Sequence, residues 1–510
     1  MARELNVVRK RGGPGSVKVG LIYPSTYEAS LASLAYQAMY YYINSLPDFV
    51  AERFVHERGP LGLDLGSRMS SMDVLVASVH YELDYANLVE MLEAAGVEPL
   101  RDRRRSRPPL LVGGPPAAAN PAPLSDIADV VVVGDAEPLL PRLLEAAASS
   151  PERLADELAG RDGFFSAGVE RVRLVRADRL PLEFHPIAQI QPEGPEAPWG
   201  RSLIVESSRG CSRLCKFCME GNLYFPAVHR PLDQVRTIVE RGLPENRTNR
   251  VTFYSLSFFD HPDADAILEL LLDVGAQASL PSMRLDSLDE RRLEAISRLG
   301  QRTLTIAPES GSCPLRRALG KPWGRDDLLR VARAAESAGF EALKLYYMIG
   351  LPGEGEGSAS LIADEVMAIR KGTRLRLSLS VTPFMPKPHT PLQWSGMEDP
   401  SSLASKARAL ASALRPEGIR VDFYSERLAM AQVAIARGGR EMSCPILRRA
   451  RGRSWERAFS ECGMDLLRLS GPLDREAHLP WSVVAAQPPE RLAKLADAYW
   501  AELRGASGAS

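Results

Sequence analysis

The chain reads as an α/β protein with three parts: an N-terminal doubly wound, Rossmann-like domain, a central partial (β/α)6 barrel and a mainly helical C-terminal module. Three observations predict this. Apolar runs alternate with helical segments through the first 150 residues, and the alternation resumes from about residue 200 to 395. Glycine-containing turns follow several of the runs. Beyond about residue 400 the runs give way to amphipathic helical patterns. Strongly apolar strands separated by helices belong to parallel sheets covered on both faces.

In the first part, "SVKVGLIYP" is an apolar strand and "EASLASLAYQAMYYYINSL" a helix with small and aromatic faces. "MDVLVASVHYE" is a second strand, and "YANLVEMLEAAGV" a helix closed by Gly96. "PPLLVGGPP" is a third strand, and "IADVVVVGDAEPLLPRLLEAA" gives a strand, a turn and a helix. We expect a five-stranded parallel sheet over residues 17–150. Its turns carry Gly113, Gly114 and Gly134 at strand C-termini, where open α/β sheets bind ligands. No GxGxxG occurs, so a dinucleotide fingerprint is missing. The arginine-rich "RDRRRSR" at 101–107 reads as a solvated loop, and "QPEGPEAPWG" as a linker. This first domain and linker span residues 1–185.

Six strand–helix units follow between residues 195 and 395. Their strands are "SLIVESS", "RVTFYSLS", "ASLPSMRLDS", "TLTIAPES", "ALKLYYMIG" and "RLSLSVTPF". Helices such as "PLDQVRTIVERGL" and "RDDLLRVARAAESAG" fall between them. Six βα units describe a barrel, or three-quarters of one, with its site at the strand C-termini. Residues 396–510 hold the amphipathic helices "SSLASKARALASAL" and "PPERLAKLADAYWAELRG".

Composition bounds the function. With 510 residues, 45% hydrophobic and 25% charged, the chain is long enough for two or three domains with large cores. The net charge of −1 gives no reason to expect nucleic acid or an anionic membrane as partner. No apolar run is long enough for a membrane span, and the N-terminus has no secretory signal, so a cytoplasmic location is expected. Three of the six cysteines lie in "SSRGCSRLCKFCMEGN", at Cys211, Cys215 and Cys218; Cys313, Cys444 and Cys462 are scattered and read as lone thiols. This is not a secreted disulfide framework.

A CxxxCxxC loop after a strand has three readings. A zinc site needs a fourth donor, for which His229 is the nearest candidate. An accidental cluster of reduced thiols is an oxidation liability. A 4Fe–4S cluster on three thiolates leaves one iron open, and that iron can chelate an amino acid through its amino and carboxylate groups.

CxxxCxxC with an aromatic before the third cysteine, ending the first strand of a βα barrel, resembles the radical S-adenosylmethionine (SAM) superfamily. The segments "LSFFD", "SLPSMRLDS", "TIAPESGS", "KLYYMIGLPGE" and "PFMPKPHTPLQW" are similar to a largely uncharacterised subgroup with an N-terminal cobalamin-binding-like domain. The resemblance spans nearly the whole chain. It implies a 4Fe–4S cluster on Cys211, Cys215 and Cys218, with SAM on the open iron. One-electron reduction would then release a 5′-deoxyadenosyl radical, the cofactors carrying the hard chemistry. It further implies that Phe217 meets the adenine, that Gly350, Pro352 and Glu354 of "GLPGE" lie near the adenosine, and that Ser255 or Ser257 lies near the methionine end. The usual Gly-Gly-Glu is missing at those serines. Arg284, Asp286 and Glu309 end the third and fourth strands at the barrel mouth; the alternative for each is a strand-end cap or a surface ion pair.

Cobalamin is the open third cofactor. The Gly-rich turns of the first domain suit it, while the DxHxxG motif that brings an axial histidine is missing. His80, at a strand end, is a structural histidine in the plainer reading. "PFMPKPHTPLQW" ends the sixth strand, and its four prolines fix an extended backbone. It would display His389 as proton donor, Lys387 as anion contact and Trp394 as stacking surface, or simply be a rigid lid. The expected activity is radical SAM chemistry with cobalamin-assisted methylation or carbon–carbon bond formation at an unactivated carbon. A methylthiotransferase acting on RNA or protein, and a non-catalytic iron–sulfur protein, are the alternatives; the first is disfavoured because no cysteine precedes Cys211. Expected partners are a small-molecule or lipid substrate rather than nucleic acid, and a one-electron donor such as flavodoxin or ferredoxin, with no stable membrane insertion.

Overall fold

The structure, a computed structural model, describes residues 4–104, 108–193 and 200–507. Residues 105–107 of the arginine-rich loop and "GPEAPW" of the linker lie outside the described residues. Five parallel strands form the first sheet: β1 (Val17–Tyr23), β2 (Phe49–Val55), β3 (Val74–Ser78), β4 (Leu110–Gly113) and β5 (Val130–Val132). Their order is β2-β1-β3-β4-β5, and a short antiparallel strand β6 (Phe164–Phe165) closes the edge. Strand β2 has no apolar signature in its centre, where Glu52 and Arg53 stand. Both are buried, and both are paired: Arg53 with Glu4 and Asp64, Glu52 with the amides of Asp64 and Leu65. The single helix expected after β1 is two, α1 (Tyr27–Ala32) and α2 (Leu34–Ser45). Ser33 sits between them in extended backbone and caps α2 by accepting the Tyr36 N–H. Helices α3 (Asp84–Ala94), α4 (Pro115–Ala119) and α5 (Ala136–Ser149) complete the layers.

Seven further parallel strands follow, in two sheets. The first is β7 (Leu203–Glu206), β8 (Arg250–Tyr254) and β9 (Gln277–Ser279). The second is β10 (Thr303–Glu309), β11 (Ala342–Ile349), β12 (Arg376–Pro383) and β13 (Arg420–Phe423). A lone parallel bridge between Met283 and Ile306 joins them into one arc. Strand β13 falls in the segment read as helical. Along β10, β11 and β12, Leu304, Ile306, Leu343, Leu345, Leu377 and Leu379 are buried in one core with the surrounding helices. The alternate positions, Thr305, Lys344, Tyr346, Ser378 and Ser380, are half-buried and mostly polar. A strand turns successive side chains to opposite faces, so the inner face of the arc is polar and partly open rather than filled by bulky apolar residues as in a packed barrel.

The C-terminal segment has no hydrophobic core of its own among the described residues. After helices α6 to α12, which begin at Leu154 and end at Gly372, helix α13 (Pro400–Leu414) joins the barrel core through Leu403, Leu410 and Leu414. Helices α14 (Glu426–Arg437), α15 (Ser443–Ala450) and α16 (Trp455–Glu461) join the core on one side of the first sheet, α15 packing on α3: Ala434, Ile435, Ile446, Trp455 and Phe459 share it with Leu88, Val112 and Ala118. Asn120 fastens the contact by donating to the carbonyls of Ala436 and Gly438. Cys444 and Cys462 are not separate thiols, as their spacing had indicated, but a disulfide joining α15 to the end of α16. Among the described residues no helix is long and apolar enough to cross a membrane.

Candidate active site

Past the end of β7, residues Ser208–Arg209 pair antiparallel with Val228–His229, and the cysteine loop lies between them. Gly210, at φ +74°, makes the entry turn; a Cβ there would stand 2.0 Å from the Tyr224 carbonyl oxygen. Asn222, in the short helix α′ (Met219–Leu223), donates to the carbonyls of Cys215 and Cys218 at 2.9 and 2.8 Å. Lys216 N–H donates to the Leu319 carbonyl, and the Lys216 carbonyl accepts from Leu392 N–H. The loop is thus tied to the end of the helix Cys313–Leu319 behind the fourth barrel strand and to the proline-rich segment.

All three cysteines are free and half-buried. Cys218 Sγ accepts the Gly221 N–H at 3.3 Å and Cys211 Sγ that of Arg213 at 3.4 Å, while Arg284 Nη1 stands 3.8 Å from Cys215 Sγ. Burial pushes the Cys211 thiol up and that of Cys218 to about 12, so a bound metal would have to displace the protons. The N–H donors and the guanidinium then stabilise the thiolates. Zinc gathers four donors at about 2.3 Å around one ion. Among the described residues no three His, Cys, Asp or Glu side chains converge in that way. His229, the fourth zinc donor by spacing, has Nδ1 bonded to Ser208 Oγ at 2.9 Å and its ring edge-on to His261. A four-iron cluster takes each thiolate on a different iron and accommodates sulfurs set further apart. Three thiols on one loop, with N–H donors and a guanidinium beside them, are the donor set that such a cluster takes.

Several sequence-predicted residues gather around this loop. Arg284 forms a forked pair with Asp286, donates to the Gly320 carbonyl and lies over the Trp323 ring. Glu309, in left-handed backbone at φ +69°, pairs with Lys321 at 2.5 Å, and the Lys321 ammonium stands 5.9 Å from the Phe217 ring centre. Phe217 packs against Leu319, Met348, Leu351 and Leu392. Ser255 Oγ accepts the Ser257 N–H, and this turn leads to Asp260, whose carboxylate pairs with Arg213 of the cysteine loop. "GLPGE" is fastened elsewhere: Glu354 takes the Gly350 N–H and pairs with Lys406 of α13, and the Pro352 carbonyl accepts the Tyr499 hydroxyl. Gly350, Pro352 and Glu354 line a cavity of about 570 Å³ with Trp394 and Trp500, while Leu351 between them shares a core with Phe217 of the cysteine loop.

The C-terminal ends of the first sheet face those of the barrel. Side-chain contacts join them. Tyr254, ending β8, donates to the Ala32 carbonyl behind β1 at 2.6 Å. Arg209, behind β7, forks onto Glu137 behind β5. Lys387 pairs at 2.5 Å with Glu82 behind β3, and Glu82 also accepts from Gln432 of α14. His389, fully buried, donates Nε2–H to the Ala119 carbonyl behind β4 at 3.0 Å. Beside these contacts lie Tyr23, Tyr81 and Asp84; Tyr81 is 63% exposed, and burial pushes the Asp84 carboxyl up to about 6. His80 lies here too, 3.2 Å from Ser33 Oγ.

The glycines of the first domain are explained by chain packing. A Cβ on Gly114 would stand 1.9 Å from the Val79 carbonyl oxygen and one on Gly134 2.1 Å from that of Val175, while Gly113 is backed by Val132 at 3.3 Å. Sequence reading missed Lys321, Trp323, Arg213 and Asp260. Each lies in a loop whose role depends on contacts with a loop distant in sequence, and no local pattern marks it.

Residues 35–164 match the family model described as radical SAM proteins, N-terminal, and residues 205–366 that of the radical SAM superfamily. An uncharacterised protein of Methanocaldococcus jannaschii is 28% identical over 429 residues, 83% of this chain and 89% of that protein. One of Methanopyrus kandleri is 26% identical over 390 residues, 63% of this chain and 71% of its own length. Among solved structures, the radical SAM methyltransferase TsrM of Kitasatospora setae, with cobalamin and a [4Fe-4S] cluster bound, superposes with a TM-score of 0.59 at 14% identity. It covers 86% of this chain and 99% of TsrM. The same enzyme with tryptophan and a SAM analogue gives 0.54 at 13% identity, over 74% and 75% of the two chains. The likeness to TsrM is one of fold.

Proposed function

We propose, for a chain that carries the N-terminal and core domains of radical SAM proteins, that it is a cobalamin-dependent radical SAM enzyme acting on an unactivated carbon, by methylation or carbon–carbon bond formation. The observation that carries this reading is the opposition of the two sets of strand C-termini, since both a doubly wound sheet and a barrel bind ligands at those ends. TsrM, which shares this fold over most of its length, holds both a cobalamin and a cluster.

When bound, the cluster supplies the electron that cleaves SAM to a 5′-deoxyadenosyl radical, and cobalamin supplies a transferable methyl group. Cys211, Cys215 and Cys218 would hold the cluster. Arg284 and Lys321 offer cations, and Asp286 and Glu309 anions, for the carboxylate and amino ends of SAM, with the Phe217 ring beside them. Thr305, Ser378 and Ser380 line the polar interior that would receive the substrate, a small molecule or lipid. The electron comes from a donor of the flavodoxin or ferredoxin class. A methylthiotransferase reading is weaker, because no cysteine precedes Cys211 to hold a second cluster.

Anaerobic reconstitution tests the reading. The protein should bind about four irons, cleave SAM to 5′-deoxyadenosine and retain cobalamin after desalting; changing all three cysteines to alanine should abolish the first two. Stoichiometric zinc in place of iron would overturn it. SAM cleavage without retained cobalamin would leave a radical SAM enzyme whose first domain is a substrate platform.

A further inference from the structure

We propose that the substrate carries an oxyanion, a carboxylate or a phosphate, held by Lys344 on the inner face of the barrel at a distance from the carbon that reacts; this rests on the radical SAM reading above. Lys344 stands on β11 among the half-buried residues of that face. Among the described residues its ammonium has no hydrogen bond and no ion pair, and the Tyr346 ring lies 5.2 Å from it. Elsewhere along the barrel strands charges are matched: Glu206 with Arg209, Glu309 with Lys321, Arg376 with Glu341 and Arg420 with Asp422. A half-buried cation without a partner costs free energy until an anion reaches it.

The neighbours complete a site for such a group. In register with Lys344 stand Thr305 on β10 and Ser378 on β12. Adjacent strands are about 4.8 Å apart, so the two hydroxyls flank the lysine, and neither is bonded to another group among the described residues. An ammonium with its N–H donors between two hydroxyls suits the several lone pairs of one oxyanion. A neutral or cationic group would leave the charge unmatched. The position also measures the substrate. From Lys344 to Ile349 at the C-terminal end of β11 the strand rises about 16 Å, at roughly 3.3 Å per residue. The lysine side chain recovers part of that, since its ammonium lies by Tyr346, which is nearer the strand end. The oxyanion therefore sits on the order of 10 Å below the strand ends where the cysteine loop lies, and the reacting carbon is several bonds away from it. Such a carbon gains no activation from the anionic group, which agrees with a reaction that needs a radical.

The test uses the full cluster-loaded chain under anaerobic conditions. A limiting amount of an acetylating reagent labels its lysines, and peptide mapping reads Lys344 against the exposed Lys371 and Lys494. The probes are hexanoate, inorganic phosphate and the neutral hexanamide, at equal ionic strength. At millimolar concentration the better of the two oxyanions should slow labelling of Lys344 about threefold and leave Lys371 and Lys494 unchanged. Which one protects better identifies the group as carboxylate or phosphate. Ser378→Ala should raise the half-protecting concentration roughly tenfold; an unchanged value would remove the hydroxyls from the site. Equal protection by hexanamide, no protection by either oxyanion, or a Lys344 that is unreactive without any probe would overturn the proposal. SAM cleavage and cobalamin retention are measured on the same preparation. Protection in protein that retains no cobalamin would leave the oxyanion site standing and strike the cobalamin reading, whereas missing protection in protein that does both would strike the site alone.

Discussion

His389 shows how a residue suited to catalysis is held by the fold. Its backbone is left-handed, at φ +57°, its own N–H donates to Gln393 Oε1, and its ring reaches across to Ala119. Burial pushes its pKa down to about 4. The folded value therefore lies below the unfolded one of about 6.5, and the stability it contributes is present above pH 6.5 and lost as pH falls toward 4, about 3 kcal/mol in all. His185, likewise depressed by burial to about 3, acts in the same window and below it. Thermal unfolding followed from pH 7 to pH 4 should show this loss, and His389→Gln should make the slope shallower by about half. An unchanged slope in the variant would mean that the ring is solvated and charged. A neutral histidine whose Nε2–H is committed to a carbonyl is poorly placed to donate a proton to substrate, so the Lys387–Glu82 pair beside it is the more open polar group of this segment.

Turns and strands carry a second lesson. Gly114, at φ +126°, needs both its backbone angle and the missing Cβ, because the Val79 carbonyl occupies that space. Gly114→Ala should cost about 3 kcal/mol in denaturant unfolding. Gly96→Ala, at φ +71° with open space around it, should cost about 1 kcal/mol. Equal costs would show that the turn relaxes freely. The need for glycine was legible in "GGPP", but its reason was not, since Val79 lies a full strand–helix unit earlier. The same holds elsewhere. Six barrel strands and the cysteine loop stand out because each is an apolar run or a cysteine cluster within a few residues. Strand β2 was hidden because its charges are neutralised by Glu4 and Asp64 from other segments, and β13 because four residues, RVDF, are too short to show a period. The disulfide was hidden because its geometry depends on how α15 and α16 meet.

The three parts read from the sequence are not independent bodies. Helices α14 to α16 supply Ile435, Ile446, Trp455 and Phe459 to the core of the first sheet, and α13 supplies Leu403, Leu410 and Leu414 to the barrel core. A fragment ending at residue 193 should therefore expose the face that holds Leu88, Val112 and Ala118. It should bind a hydrophobic dye or aggregate, where the full chain does neither. A fragment that stays soluble and shows a cooperative transition would mean that the sheet is stable without its cover.

That shared core has a consequence during synthesis. The last strand of the first sheet leaves the ribosome with Phe165, but its cover begins only at Glu426. At roughly 5–20 residues per second, about 260 residues take on the order of 10–50 s to make. Throughout that interval the apolar outer side of α3 and α4 stands uncovered while the barrel is being spun out beside it. The chain thus asks most of its chaperones at its middle, and a ribosome stalled in the barrel would leave a product that is sticky at its oldest end.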